Sequence, residues 1–172
     1  FEKYQILKRW KSGDRSQQFS FSGLRTPVFR LKYKTMLDLG FVSAILAEKS
    51  FNEVIEFASE NEFKCVEIMC WPVGKAERRY AGVTHINVDE LDDKKVAEIQ
   101  EILKRNNIYI SGLGYYPNPL DADETQADFF ISHIKKVIVA AAKLGVPVVN
   151  TFVGRDPKKS VEENLAKFAE VW

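Results

Sequence analysis

The chain has 172 residues, 45% hydrophobic and 28% charged, with a formal net charge of +1, which bounds it to one domain, or a piece of one, able to bury a core. The near-neutral total conceals a step, because residues 1–35 carry nine Lys/Arg against two acids and residues 36–172 carry sixteen against twenty-two. The mildly acidic body argues against a nucleic-acid partner, and the longest apolar run, Val137 to Ala142, is far too short for a membrane span.

The basic leader, residues 1–35, is open to three readings: translated upstream sequence with Met36 as the true start, an organelle transit peptide, or a nucleic-acid arm. Trp10, Phe19, Phe21 and Phe29 hold no helical period, which disfavours the second, and basic residues interleaved with aromatics arise easily in translated noncoding sequence, which disfavours the third. The first is preferred, which puts the leader outside the native domain.

From Met36 onward, strand and helix patterns alternate. The first strand is expected over Leu37 to about Leu46, an apolar run broken by Gly40 and Ser43. Ser50 and Glu53 form a capping box for a helix whose apolar face is Val54, Phe57 and Ala58. The second strand is CVEIMCW, residues 65–71, ended by Pro72 and Gly74. A long loop, 72–87, leads to a helix striped with Val96, Ile99, Ile102 and Leu103 and stopped at Asn106-Asn107. The third strand runs from Ile108 to about Tyr116. Its helix opens at Asp121 or Asp123 and closes at Gly145. The fourth strand spans Val146 to Val153, and Ser160 with Glu163 caps a last helix that no Gly, Asn or Pro closes.

Four βα units with near-continuous apolar strands predict an α/β fold built on a parallel sheet covered by helices. No strand is followed by the glycine fingerprint of a dinucleotide-binding turn, which sets aside the open doubly wound sheet. A (β/α)8 TIM barrel needs about 250 residues. Residues 36–172 therefore read as the N-terminal half of such a barrel, cut in its fourth helix.

Several residues could carry chemistry. Alternation along the second strand sends Val66, Ile68 and Cys70 toward helices and Cys65, Glu67, Met69 and Trp71 into the barrel. A carboxylate on that inner face is costly unless paired, so Glu67 is either a substrate contact or a structural bridge to a neighbouring strand. Cys65 and Cys70 point to opposite faces and cannot pair; free thiols fit a reducing cytoplasm. Loop 72–87 offers Lys75, Arg78, Arg79, Tyr80 and His85 to an anionic or polyhydroxy ligand. His133 lies beside an apolar helical stripe and reads as structural. Tyr115, Tyr116 and Asn118 end the third strand, where a ligand would sit. Arg155, with the helix start at Ser160, could hold a phosphate. No zinc spacing, nucleophile elbow or phosphate-cradling glycine loop occurs.

The segments LDLGFVSAIL, CVEIMCWPVG, ISGLGYYPNPLD and AAKLGVPVVNTFVGRDP resemble, in that order, the sugar phosphate isomerase/epimerase proteins of the xylose isomerase-like barrel superfamily. The resemblance covers residues 36–172 and none of 1–35. It implies a cytoplasmic (β/α)8 enzyme that moves a proton or hydride between adjacent carbons of a sugar or sugar phosphate. A divalent metal, Mn²⁺ or Mg²⁺, would polarise the substrate carbonyl, held by Glu, Asp, His and Glu on later strands, hence beyond Trp172. By the same carry-over, Glu67, Trp71, His85, Tyr115, Asn118, Thr151 and Arg155 form the substrate-side wall. The competing functions are a barrel that has lost its chemistry and serves as a sugar-binding or interaction module, and an abasic-site endonuclease.

Overall fold

The computed structural model describes residues 37–74 and 82–172. The leader and residues 75–81 of the long loop, with the readings attached to Lys75, Arg78, Arg79 and Tyr80, lie outside the described residues. In chain order the elements are β1 (Gly40–Val42), α1 (Phe51–Glu60), β2 (Cys65–Met69), α2 (Asp93–Asn106), β3 (Tyr109–Gly114), α3 (Glu124–Leu144), β4 (Val149–Asn150) and α4 (Val161–Val171).

The four strands form one sheet in the order β1-β2-β3-β4, every pair parallel. In a doubly wound sheet the strand order reverses at a switch point. Here each strand lies beside its successor, as in a barrel, and the half-barrel expectation holds.

Local chemistry explains the helices. Ser50 accepts the Glu53 amide while the Glu53 carboxylate accepts the Ser50 amide, closing a capping box at α1. Ser160 and Glu163 repeat it at α4. Asp123, not Asp121, caps α3 by accepting the Gln126 amide. Asn107 and Gly145, both left-handed, terminate α2 and α3.

One face of the sheet carries the core. Val66, Ile68 and Cys70 of the second strand region, with Ile110, Leu113 and Tyr115, pack against Val54, Ile55 and Ala58 of α1 and against Ile134, Val137 and Ala141 of α3. The other face bears Val42, Glu67, Met69, Gly112, Gly114 and Asn150 by register, and none of them belongs to that core. At Ser111 the β2–β3 register slips: Val66 pairs with Ile110 but Glu67 with Gly112. This bulge keeps Ile110 and Leu113 on one face although they are three residues apart.

The strands are shorter than expected. Instead of running to Leu46, β1 ends at Val42, and Ser43–Leu46 form a 3-10 turn. The buried Ser43 hydroxyl accepts the Met69 amide at 2.9 Å, which draws the chain out of the sheet there. Leu37 and Leu39, expected in the strand, are exposed. β2 stops at Met69 because His85 takes the Met69 carbonyl and Cys70 turns to bridge Thr84 antiparallel. β4 is limited to Val149–Asn150, since the Val146 amide is spent on the Ala141 carbonyl and Pro147 has no N–H to give.

Candidate functional site

The C-terminal ends of parallel strands are where α/β barrels collect chemistry, and the side chain of Glu67, from the middle of β2, reaches toward that end to meet Tyr116, two residues past β3. Glu67 is half-buried on the inner face, and its Oε1 accepts a hydrogen bond from the Tyr116 hydroxyl. Two glycines make the room. A Cβ at Gly114 would collide with Met69, Glu67 and Tyr116, and one at Gly112 would meet the Asn150 amide at 2.9 Å. The carboxylate therefore leans over a stretch of β3 that has no side chains. Glu67 Oε2 accepts no hydrogen bond among the described residues.

Tyr116 is fixed from both ends. Its hydroxyl is held by Glu67, and its ring packs on Phe152, with centroids 5.0 Å apart. Burial, then the bond to the Glu67 carboxylate and its charge, push the phenol above the usual tyrosine range. The phenol therefore stays protonated and donates. Phe152 is 58% exposed, a large apolar surface at the mouth of the inner face.

Asn118 and Arg155 are also brought together, through the Arg155 backbone. Asn118 Oδ1 accepts the Arg155 amide at 2.8 Å, and Asn118 Nδ2 donates to the Arg155 carbonyl at 3.0 Å. The clasp needs Gly154, whose φ of +80° and whose missing Cβ let the backbone pass over Asn118 and Pro119. A recess of about 600 Å³ opens beside it, lined by Tyr116, Asn118, Phe152, Gly154 and Arg155 between Pro117 and Pro157.

Other members of the expected wall lie elsewhere. Tyr115 is fully buried on the helix face, between Trp71 at 4.9 Å and His133 at 4.7 Å between ring centroids. Trp71 lies past the end of β2, so the alternation that would have turned it inward no longer applies. His133 donates to the Cys70 carbonyl at 2.8 Å, the structural role expected of it. His85 Nε2 lies 3.3 Å from the Leu46 carbonyl, which ties the long loop to the turn after β1. Thr151 is half-buried, its hydroxyl 3.5 Å from the Phe152 carbonyl. At the start of α4, the Ser160 and Glu163 amides are taken by the capping box, which leaves them closed to the phosphate envisaged there.

The sequence reading did not carry Tyr116 into the wall set. The signal was present: Leu113 and Tyr115 continue the apolar face of β3, so Gly112, Gly114 and Tyr116 must share the other. Cys65 and Cys70 are both free and buried, and burial pushes the Cys70 thiol up to about 12. No group of three or more His, Cys, Asp or Glu that could hold a metal ion occurs among the described residues. No helix among the described residues is long and apolar enough to cross a membrane.

A parallel sheet in sequential order, with its core packed against helices on one face, defines half of a TIM barrel. Residues 55–172 match the xylose isomerase-like TIM barrel family, and the chain belongs to that family. No curated protein matches it. Among solved structures it is similar to one described as the probable 3-DHS dehydratase AsbF involved in petrobactin synthesis from Bacillus anthracis. The two share 14% identity and a TM-score of 0.55 over 78% of this chain. That likeness is one of fold. The match spans 45% of the length of the Bacillus anthracis chain.

Proposed function

We propose that this chain forms the substrate-side wall of a barrel enzyme that isomerises or epimerises a sugar or sugar phosphate. The observation that carries the reading is the Glu67–Tyr116 pair on the inner face, which joins the middle of β2 to the loop just past β3. Tyr116 holds Oε1 and orients the carboxylate, leaving Oε2 to accept a substrate hydroxyl. Gly112 and Gly114 leave the space that the Glu67, Met69 and Asn150 side chains occupy over β3.

In the reaction class proposed, a general base takes a proton from the carbon next to a carbonyl and the electron pair moves onto the carbonyl oxygen, giving an enediolate. Return of the proton to the neighbouring carbon isomerises the sugar; return to the opposite face epimerises it. Fixing a hydroxyl against Glu67 restricts the substrate to one orientation, and such positioning contributes substantially to lowering a barrier. A divalent cation, Mn²⁺ or Mg²⁺, would supply carbonyl polarisation in this reading. The described residues hold no group of three or more His, Cys, Asp or Glu suited to bind it.

The test is solvent exchange followed by NMR. With a panel of aldoses, ketoses and their phosphates in D₂O and Mn²⁺, the full-length protein should place deuterium on the carbon adjacent to the carbonyl of its substrate. Glu67→Gln should lower kcat/KM at least tenfold, about 1.4 kcal/mol, with the thermal melt unchanged. Undiminished exchange in Glu67→Gln would remove Glu67 from the mechanism.

A further inference from the structure

We propose that His85 is a pH-sensitive latch on the segment Val83–His85, holding it along the end of β2 while the imidazole is neutral and releasing it when the imidazole takes up a proton. The latch belongs to the β2–α2 connection and is independent of the chemistry proposed for the inner face.

The segment is a short antiparallel addition to a parallel sheet. Thr84 bridges Cys70, the His85 amide donates to the Met69 carbonyl at 3.0 Å, and the Trp71 amide donates to the Val83 carbonyl at 3.4 Å. The Thr84 hydroxyl also donates to the Trp71 carbonyl. So short a stretch is held by few bonds and belongs to the low-stability end of a fold. The imidazole supplies a further tie. Its Nε2 lies 3.3 Å from the Leu46 carbonyl, which joins the segment to the turn after β1.

Neutral imidazole suits this position and imidazolium does not. With the proton on Nε2 facing Leu46, Nδ1 is an acceptor, buried and without a hydrogen-bond partner among the described residues. An N–H at that atom would be a buried cationic donor with no acceptor, which is among the costlier arrangements in a protein interior. The Leu46 and Lys49 backbone favours the charged form, but burial outweighs it and holds the pKa below its ordinary value. No side-chain charge contributes to that shift. Glu48 and Lys49 of the turn are exposed, and Glu67 of β2 is bonded to Tyr116. Asp89 and Glu90, beyond the segment, pair with Lys136 and Lys95.

The least costly response to protonation is to turn the ring into water, which breaks the Leu46 bond and carries His85 off Met69. Ile86 is anchored in the core, and the Asn87 side chain accepts the Asp89 amide, so the opening is confined to the residues before them. Met69 keeps its other tie, because its amide donates to the buried Ser43 hydroxyl. The strand stays in the sheet while the segment leaves it.

Hydrogen exchange of the full-length protein, read by NMR and corrected for the intrinsic pH dependence of amide exchange, tests the latch. Between about pH 7.5 and about pH 5, protection of the Trp71 and His85 amides should fall about fivefold or more beyond any fall shown by the α3 amides. His85→Gln keeps a donor for Leu46 and does not titrate, so in that variant the Trp71 amide and the amide of residue 85 should follow α3. The ring gives a reading that needs no variant: its ¹⁵N shifts at about pH 7.5 should be those of the Nε2–H tautomer. A fall in the native protein no larger than that of α3, an equal excess in His85→Gln, or an Nδ1–H tautomer would each overturn the inference.

Discussion

At the scale of single residues, His85 shows how burial sets behaviour that sequence position does not reveal. The Leu46 carbonyl can only accept, so a bond to it puts the proton on Nε2 and leaves the lone pair on Nδ1, which is buried without a hydrogen-bond partner among the described residues. Burial lowers the His85 pKa below 6.5, and contacts with the Leu46 and Lys49 backbone only partly offset it. In the interval between the lowered folded value and the unfolded value of about 6.5, the unfolded chain binds a proton that the folded chain refuses. Stability therefore falls as pH drops through that interval and levels off below the folded value. The thermal midpoint of the native chain should drop more between about pH 7.5 and about pH 5.5 than that of His85→Gln, which keeps a donor for Leu46 but does not titrate. Equal slopes for the two proteins would show that His85 ionises as freely folded as unfolded. The same residue illustrates the limit of the sequence reading. His85 stood out as a residue that could contact a ligand, and nothing local indicated a carbonyl 39 positions earlier as its partner.

At the scale of elements, helices and strands differ in how far their own residues specify them. Each helix start follows from a side chain that meets an amide three residues on, as at Ser50, Asp123 and Ser160. Strand ends depend on remote groups: Ser43 acts on Met69, His85 on Met69 again. The loops after β3 and β4 are joined in the same non-local way by Asn118. Replacing it with Leu keeps the size but removes both bonds to Arg155 and leaves that exposed backbone amide and carbonyl to water. Asn118→Leu should lower unfolding stability by about 0.5–1.5 kcal/mol, read from urea denaturation with an unchanged slope. A loss under about 0.5 kcal/mol would mean that the clasp adds nothing beyond what water provides.

At the scale of the molecule, the sheet has two open ends among the described residues. β1 pairs only with β2, and β4 only with β3. A closed barrel has no such edges, and open ones recruit other chains. The inner face also leaves Val42 and Phe152 exposed, and α4 exposes Val161, Leu165 and Trp172. Residues 36–172 expressed by themselves should thus self-associate, with a mass by light scattering that rises with concentration. A constant monomer mass up to about 100 μM would show that these edges are protected, against the half-barrel expectation.

What the amino-acid order determined by itself is the part of the fold set within a few residues: the capping boxes, the left-handed stops at Asn107 and Gly145, the helix-facing set Val66, Ile68 and Cys70, and the inward phase of Glu67. These follow from hydrogen bonds and periodicities whose two ends are close in the chain, so they can be read without knowing what packs on them. Tertiary structure alone decided the rest. It cut β1 short at Ser43, placed the bulge at Ser111, brought the Tyr116 hydroxyl onto Glu67, and committed Asn118 to the Arg155 backbone. Tyr116 meets Glu67 across 49 positions and Asn118 meets Arg155 across 37. Such pairs depend on strand register, and a slip of one residue moves every side chain to the other face. Register is settled only when the strands meet, which is why the face of Glu67 was legible and its partner was not.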